Sequence, residues 1–173
     1  MDRYLRHELV NQLQILYSLS QLGKYDRLER AILSLCDKLK VIGLLSRVAG
    51  PELLNFLENL IFALPADAGV NLDMNNSFSF SELNFKPAKL ISSFKDLFQR
   101  VSPSCLNIRL AGGPDAPELF LSFHYRLPSN REEDLAQNIY KEMLSADSQL
   151  DLKVEKQEDS RIIIIKRPLK CFS

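Results

Sequence analysis

Cysteine, net charge and long apolar runs are what this chain of 173 residues has little of. Its three cysteines, Cys36, Cys105 and Cys171, are odd in number, far apart and without a C-x-x-C spacing. That pattern excludes a disulfide framework and a zinc-finger type site, and a reducing cytoplasm suits it. Lys plus Arg and Asp plus Glu balance at 22 each, so no global field draws in nucleic acid or an anionic membrane surface. No apolar run approaches the roughly 20 residues of a membrane span, and no basic segment followed by an apolar one opens the chain. The expectation is a cytoplasmic protein with no nucleic-acid and no membrane partner. Histidine is scarce too, at two residues, His7 and His124.

What is present is an ordinary globular composition, 46% apolar and 25% charged, enough for one domain or two small ones. Leu5, Leu9, Leu13, Leu16 and Leu19 recur at helical spacing over residues 3 to 22, and Gly23 stands where a left-handed cap would end that helix. Asp26 precedes Glu29 by three residues, a variant of the capping box. Leu28, Ile32, Leu35, Leu39 and Ile42 then repeat in steps of four and three, a second helix with a coiled-coil seam. The short connection "GKYD" makes the pair antiparallel. Apolar residues flanking both seams, Val10, Ile15, Tyr17 and Leu22 on the first and Val41, Leu44 and Leu45 on the second, predict a two-fold dimer that buries them in a four-helix bundle.

Gly50-Pro51 ends the hairpin and restarts a helix, which sets a boundary between residues 1–49 and 50–173. Beyond it the pattern predicts a helix at about 51 to 64, a strand "VNLDM", a Ser/Asn/Phe-rich loop "NNSFSFSELNFKP" and a helix "AKLISSFKDLFQRV". Strands "CLNIRLAG" and "LFLSFHYRL" joined by a Gly-Gly-Pro-Asp turn, a helix at about 130 to 146, and strands "LDLKVEKQ" and "RIIIIKR" complete it. The class is α+β: a helical hairpin followed by an α/β sandwich with one helical layer on a mostly antiparallel sheet.

On a helical wheel His7 lies about 180° from the centre of the leucine stripe, so it points to solvent. Arg3, Asn11, Gln14 and Ser18 share its side. A solvent-facing helical histidine by itself is most simply inert surface. Its chemistry allows more: an imidazole with one nitrogen held and the other free can accept a phosphoryl group. Glu8 is a neighbouring acceptor able to fix the tautomer, and Asn11 is a polar group one turn on.

The stretch "RHELVNQLQILYSLSQLGKYDRLERAI", residues 6 to 32, resembles the R-H-D-x-x-N-x-L-Q signature followed by L-Q-x-x-K-Y-D of the sporulation initiation phosphotransferase B family and the related citrate- and malate-sensing histidine kinases. Arg6, His7, Asn11, Leu13, Gln14, Lys24, Tyr25 and Asp26 are in register, and Glu8 stands where Asp is commoner. The resemblance implies that His7 is the phosphoacceptor, that the hairpin dimerises as a four-helix bundle, and that the second domain is a degenerate kinase ATP-binding domain. It also implies response-regulator receiver domains as partners, met by Arg3, Arg6, Gln14 and Ser18.

A kinase of that type needs an Asn-bearing helix for Mg²⁺, an Asp-x-Gly-x-Gly segment and a Gly-rich lid to hold ATP. The corresponding helix here has Ser93 and Leu97 where asparagines would fall, and "LFLSFHYRLPSN" has neither Asp nor Gly. The glycines of "AGGPDAP" read as a hairpin turn. The expectation is a histidine phosphotransferase, not an ATP-dependent kinase, with no cofactor of its own and Mg²⁺ brought by the receiver; the rivals are a divergent ATP-dependent kinase and a non-catalytic regulator-binding dimerisation module. His124 has no Cys, Asp or Glu at ligand spacing and reads as a sheet histidine. Glu132, Glu133 and Asp134 read as a charge cluster favouring a helix N-terminus, and the isoleucines 162 to 165 as a core strand.

Overall fold

A computed structural model of the chain describes residues 3–74, 83–84, 88–112, 117–125, 141, 145, 150–157 and 160–171. The first helix, α1 (Arg3–Gln21), ends as predicted: Gly23 takes φ +63°. The amides of Lys24 and Gly23 donate to the carbonyls of Leu19 and Ser20, the paired closure of a Schellman cap. The second helix, α2 (Tyr25–Leu45), has Lys24 at its N-cap with no side-chain cap bond. Asp26 therefore sits within the first turn, where its charge meets the helix dipole, and the expected capping box is not made.

The helices of the hairpin pack with a register one step away from the leucine count. The side chains of α1 that turn inward are Leu5, Leu9, Gln12, Leu16 and Leu19, a run of four-three-four-three steps. Gln12 is 7% exposed, whereas Leu13, expected in the stripe, is 57% exposed. The α2 seam divides likewise: Leu28, Leu35 and Ile42 turn inward, while Ile32 and Leu39 are exposed. Val41 and Leu45, expected in a dimer interface, are buried within the chain itself because α2 also packs on α3 and on the first strand.

Gly50 caps α3 (Pro51–Ala63) with Pro51 at its start, as the sequence predicts. The strands are β1 (Gly69–Met74), β2 (Leu83–Asn84), β3 (Cys105–Ala111), β4 (Glu118–Tyr125), β5 (Asp151–Gln157), β6 (Ser160–Pro168) and β7 (Lys170–Cys171), with α4 (Ala88–Val101) between β2 and β3. Five of them form a mixed sheet in the order β1-β3-β4-β6-β5. Only β1 and β3 run parallel, which a crossover through α4 permits. The other pairs are antiparallel. Within the expected Ser/Asn/Phe loop, Leu83 and Asn84 pair with Cys171 and Lys170 as a separate two-stranded piece. Of the expected helix at 130 to 146, Lys141 and Ser145 are helical, and its remainder lies outside the described residues, as do the Glu132, Glu133 and Asp134 cluster and residues 113–115 of the Gly-Gly-Pro-Asp turn.

Period-two alternation sends Leu106, Ile108 and Leu110 of β3, Leu119, Leu121, Phe123 and Tyr125 of β4, and Ile163 and Ile165 of β6 under α3 and α4. Those helices answer with Leu53, Phe56, Leu57 and Leu60, and with Leu90, Phe94, Leu97, Phe98 and Val101. Four rings make the centre: Phe94 lies 5.7 Å from Phe56 and 5.5 Å from Phe123, and Phe98 lies 5.0 Å from Phe123. Edge-to-face pairs of this kind add about 0.5–1.5 kcal/mol each to the burial of the rings. The chain is thus α+β, a helical N-terminal region followed by a mixed sheet with helices on one face.

Candidate functional site

The sequence of α1 from Arg3 to Gln14 contains no glycine, proline or β-branched run, so His7 sits on unbroken helix rather than on a loop. The side chain of His7 is 74% exposed, and that of Glu8 is about one-fifth exposed. The amide nitrogen of Asn11 lies 3.2 Å from His7 Nδ1, and Oε1 of Glu8 lies 3.8 Å from the same nitrogen. Both neighbours therefore meet the ring on one side. Among the described residues no hydrogen-bond or ion-pair partner faces Nε2.

This geometry ties the tautomer of the ring to the orientation of an amide. With Asn11 Nδ2 donating to Nδ1, the ring proton resides on Nε2. With the amide turned end for end, Oδ1 accepts Nδ1–H, the Glu8 carboxylate attracts the same proton, and the lone pair of Nε2 is left facing water. Only the second state offers a nucleophile at the open nitrogen. Asn11, expected beside a transferring group, is instead placed at the nitrogen that Glu8 also approaches.

The remaining predicted residues share the helix but not the ring. Arg6 and Gln14 are exposed, and Arg3 opens the helix. The hydroxyl of Ser18 donates to the carbonyl of Gln14 at 2.8 Å, so it is engaged within its own helix. By the helical rise, Gln14 and Ser18 lie about 11 and 17 Å along the axis from His7.

Helical geometry gives α1 three faces. Leu5, Leu9, Gln12, Leu16 and Leu19 meet the rest of the chain. Arg6, Val10, Leu13, Tyr17 and Ser20 form a second heptad run, about 100° round the helix, and every one of them is exposed. His7, Asn11, Gln14 and Ser18 lie a further 100° or so on. On α2 the exposed run is Tyr25, Glu29, Ile32, Cys36, Leu39 and Gly43, again in steps of four and three. The hairpin thus presents a largely apolar seam on each helix and, apart from it, a polar face that carries His7.

Sequence reasoning missed the polar features of the sheet body. On the face of the sheet away from α3 and α4, Asn71 donates to Asn107 Oδ1 at 2.9 Å and Asn107 donates to Ser122 at 3.1 Å. They follow the register across β1, β3 and β4. His124 lies on the same face of β4, opposite Cys105. Burial pushes the Cys105 thiol up from its ordinary value, against a contact from Asn71 that lowers it. Among the described residues no cluster of three or more His, Cys, Asp or Glu could hold a metal ion, and no helix is long and apolar enough to cross a membrane.

Solved structures similar to this chain include the Acinetobacter baumannii histidine kinase AdeS, at 13% identity and a TM-score of 0.44 over 94% of this chain and 97% of that one. A histidine kinase from Burkholderia phymatum STM815 has 10% identity and a TM-score of 0.42 over 97% and 99%. The histidine kinase ThkA in complex with the response regulator protein TrrA has 11% identity and a TM-score of 0.38 over 97% and 67%. No curated protein matches the chain. Residues 1–48, the hairpin that presents His7, match the family model of the Sensor_kinase_SpoOB-type, alpha-helical domain.

Proposed function

We propose that the protein is a histidine phosphotransferase of a phosphorelay in the cytoplasm, serving the control of sporulation. His7 accepts a phosphoryl group from the aspartyl phosphate of one response-regulator receiver domain and passes it to the aspartate of another. The observation that carries this reading is a water-facing histidine, held at Nδ1 and open at Nε2, in the segment that matches a SpoOB-type helical domain.

In the transfer, the Nε2 lone pair attacks phosphorus, the P–O bond to the receiver's aspartate breaks, and that aspartate leaves as a carboxylate. The proton stays on Nδ1 in the state with the Asn11 amide turned so that Oδ1 accepts it, with the Glu8 carboxylate 3.8 Å from the same nitrogen. The reverse step hands the phosphoryl group to the second receiver. The Mg²⁺ that neutralises phosphoryl charge belongs to the receiver, so the chain supplies a nucleophile fixed on a rigid helix. Two copies join through the exposed seams of α1 and α2 into a four-helix bundle made from the hairpins of residues 1–49, which leaves the His7 faces outward.

A divergent ATP-dependent kinase is the second reading, and the description of the matched family as a sensor kinase favours it. Against it stand Ser93 and Leu97 in α4, where that chemistry uses asparagines. Leu97 is buried in the core.

The test is to incubate the chain with a phosphorylated receiver and, separately, with radiolabelled Mg-ATP. Acid-labile, base-stable phosphate from the receiver alone, absent in His7→Ala, is the expected result. Label taken from ATP alone makes the protein a kinase, and no label from either makes it a binding module.

A further inference from the structure

The side chain of Lys38 is a buried cation that the proposed relay does not use. It lies on the inward run of α2, where Leu35 and Ile42 precede and follow it, and none of its surface is exposed. Its ammonium donates to the carbonyl of Pro65 at 2.8 Å. One turn earlier, the Ser34 hydroxyl donates to the carbonyl of Ala68 at 2.6 Å. The two acceptors bracket one tight turn, closed by the Ala68 amide donating to Pro65 O at 3.1 Å, and β1 begins at the next residue. Two side chains at i and i+4 thus clip the start of the sheet body onto the helical hairpin.

An ammonium has three donors, and the Pro65 carbonyl is the one acceptor found for it among the described residues. Burial disfavours its charged form and lowers its pKa to about 8, while Asp67 in the turn opposes the shift. Asp67 is the charged group that acts on it; it is exposed and forms no close ion pair with it among the described residues. The other charged or titratable groups on elements packed against α2 are Arg3, Tyr4, Arg6, His7, Glu8 and Tyr17 on α1, Glu52 and Glu58 on α3, and Asp73 on β1. Glu8 faces His7 and Asp73 pairs with Arg109. Within α2 itself, Lys40 pairs with Asp37.

We propose that Ser34 and Lys38 form a proton-controlled latch between the hairpin and the sheet body, closed most firmly when Lys38 is neutral and loosened when it carries its proton. A neutral amine keeps one donor for Pro65 O and loses the cost of a buried charge. A protonated Lys38 is better solvated once the turn lifts from α2, so protonation favours the open form. The turn leads directly into β1, the edge strand that α2 covers, so the latch governs how the hairpin is seated on the sheet. The proposal does not depend on any chemistry at His7.

Hydrogen exchange on the full chain tests it, read at the amides of Ala68 and Gly69, which donate to Pro65 O and Ser104 O. After correction for the intrinsic exchange rate at each pH, their protection should rise on the order of tenfold between pH 7 and 9.5. In Lys38→Met the rise should vanish. In Asp67→Asn, a substitution at an exposed position that leaves the core untouched, it should begin at lower pH, because the carboxylate that favours the charged form is gone. Flat protection in the wild type, an equal rise in Lys38→Met, or an unmoved rise in Asp67→Asn would each overturn the latch.

Discussion

The amide nitrogen of Asn11 lies 3.2 Å from Nδ1 of His7, one helical turn away and on the same nitrogen that Glu8 approaches. A residue in that position acts through the ring it orients. Asn11→Ala should lower the single-turnover rate of phosphoryl transfer at saturating receiver by about tenfold or more, with receiver affinity unchanged. Asn11→Asp keeps an acceptor for Nδ1–H and should retain more of the rate than Asn11→Ala. Equal rates in the wild type and Asn11→Ala would remove this role.

Ser18 gives a cleaner test of docking, because its hydroxyl is already spent on the Gln14 carbonyl. Ser18→Ala should be close to silent, whereas Ser18→Arg adds bulk and charge to the face and should weaken receiver binding by about tenfold. Transfer should then slow at low receiver and recover at saturation. Calorimetric titration of the receiver decides it, and an unchanged affinity for Ser18→Arg places the receiver elsewhere.

Leu13 and Ile32 are exposed on the two hairpin seams. Leu13→Glu combined with Ile32→Glu should yield a folded monomer by light scattering at micromolar concentration, with the wild type a dimer. Circular dichroism guards against misreading an unfolded chain. A monomeric wild type would dispose of the four-helix bundle.

Lys38 has a pKa lowered to about 8 in the fold from the ordinary 10.5. The folded state therefore binds fewer protons than the unfolded chain between these values. The stabilisation this group contributes is complete above pH 10.5 and is lost as the pH falls through 8. A shift of that size corresponds to roughly 3 kcal/mol. Lys38→Met should be the more stable protein at pH 7 by up to about that amount, and the gap should narrow at high pH. Urea unfolding of both proteins at pH 7 and pH 10 measures it; a gap independent of pH would show that the ammonium carries no such cost.

Phe94 contacts Phe56, Phe98 and Phe123 and is fully buried. Phe94→Ala should cost about 3–5 kcal/mol in the same assay. It should leave the exposed His7 ring accessible to diethyl pyrocarbonate under native conditions, as in the wild type.

Local chemistry was sufficient to read most of the elements. Gly23 and the Gly50-Pro51 pair place the helix ends because a left-handed cap and a fixed φ are properties of single residues. The alternating strands and the solvent-facing position of His7 follow from periods of 2 and 3.6 that any segment shows by itself. Tertiary structure decided which of two adjacent apolar stripes turned inward. Leu13 and Gln12 differ by one position, and local propensity would bury the leucine. Packing on α2 instead selects the run through Leu9, Gln12 and Leu16, and leaves Leu13 outside. The burial of Val41, Leu45 and Lys38 depends on β1 and α3, which lie beyond the hairpin in the chain. The pairing of Leu83 and Asn84 with Cys171 and Lys170 spans nearly the whole sheet body. No local periodicity encodes such contacts, because their free energy arises only when distant segments meet and exclude water between them.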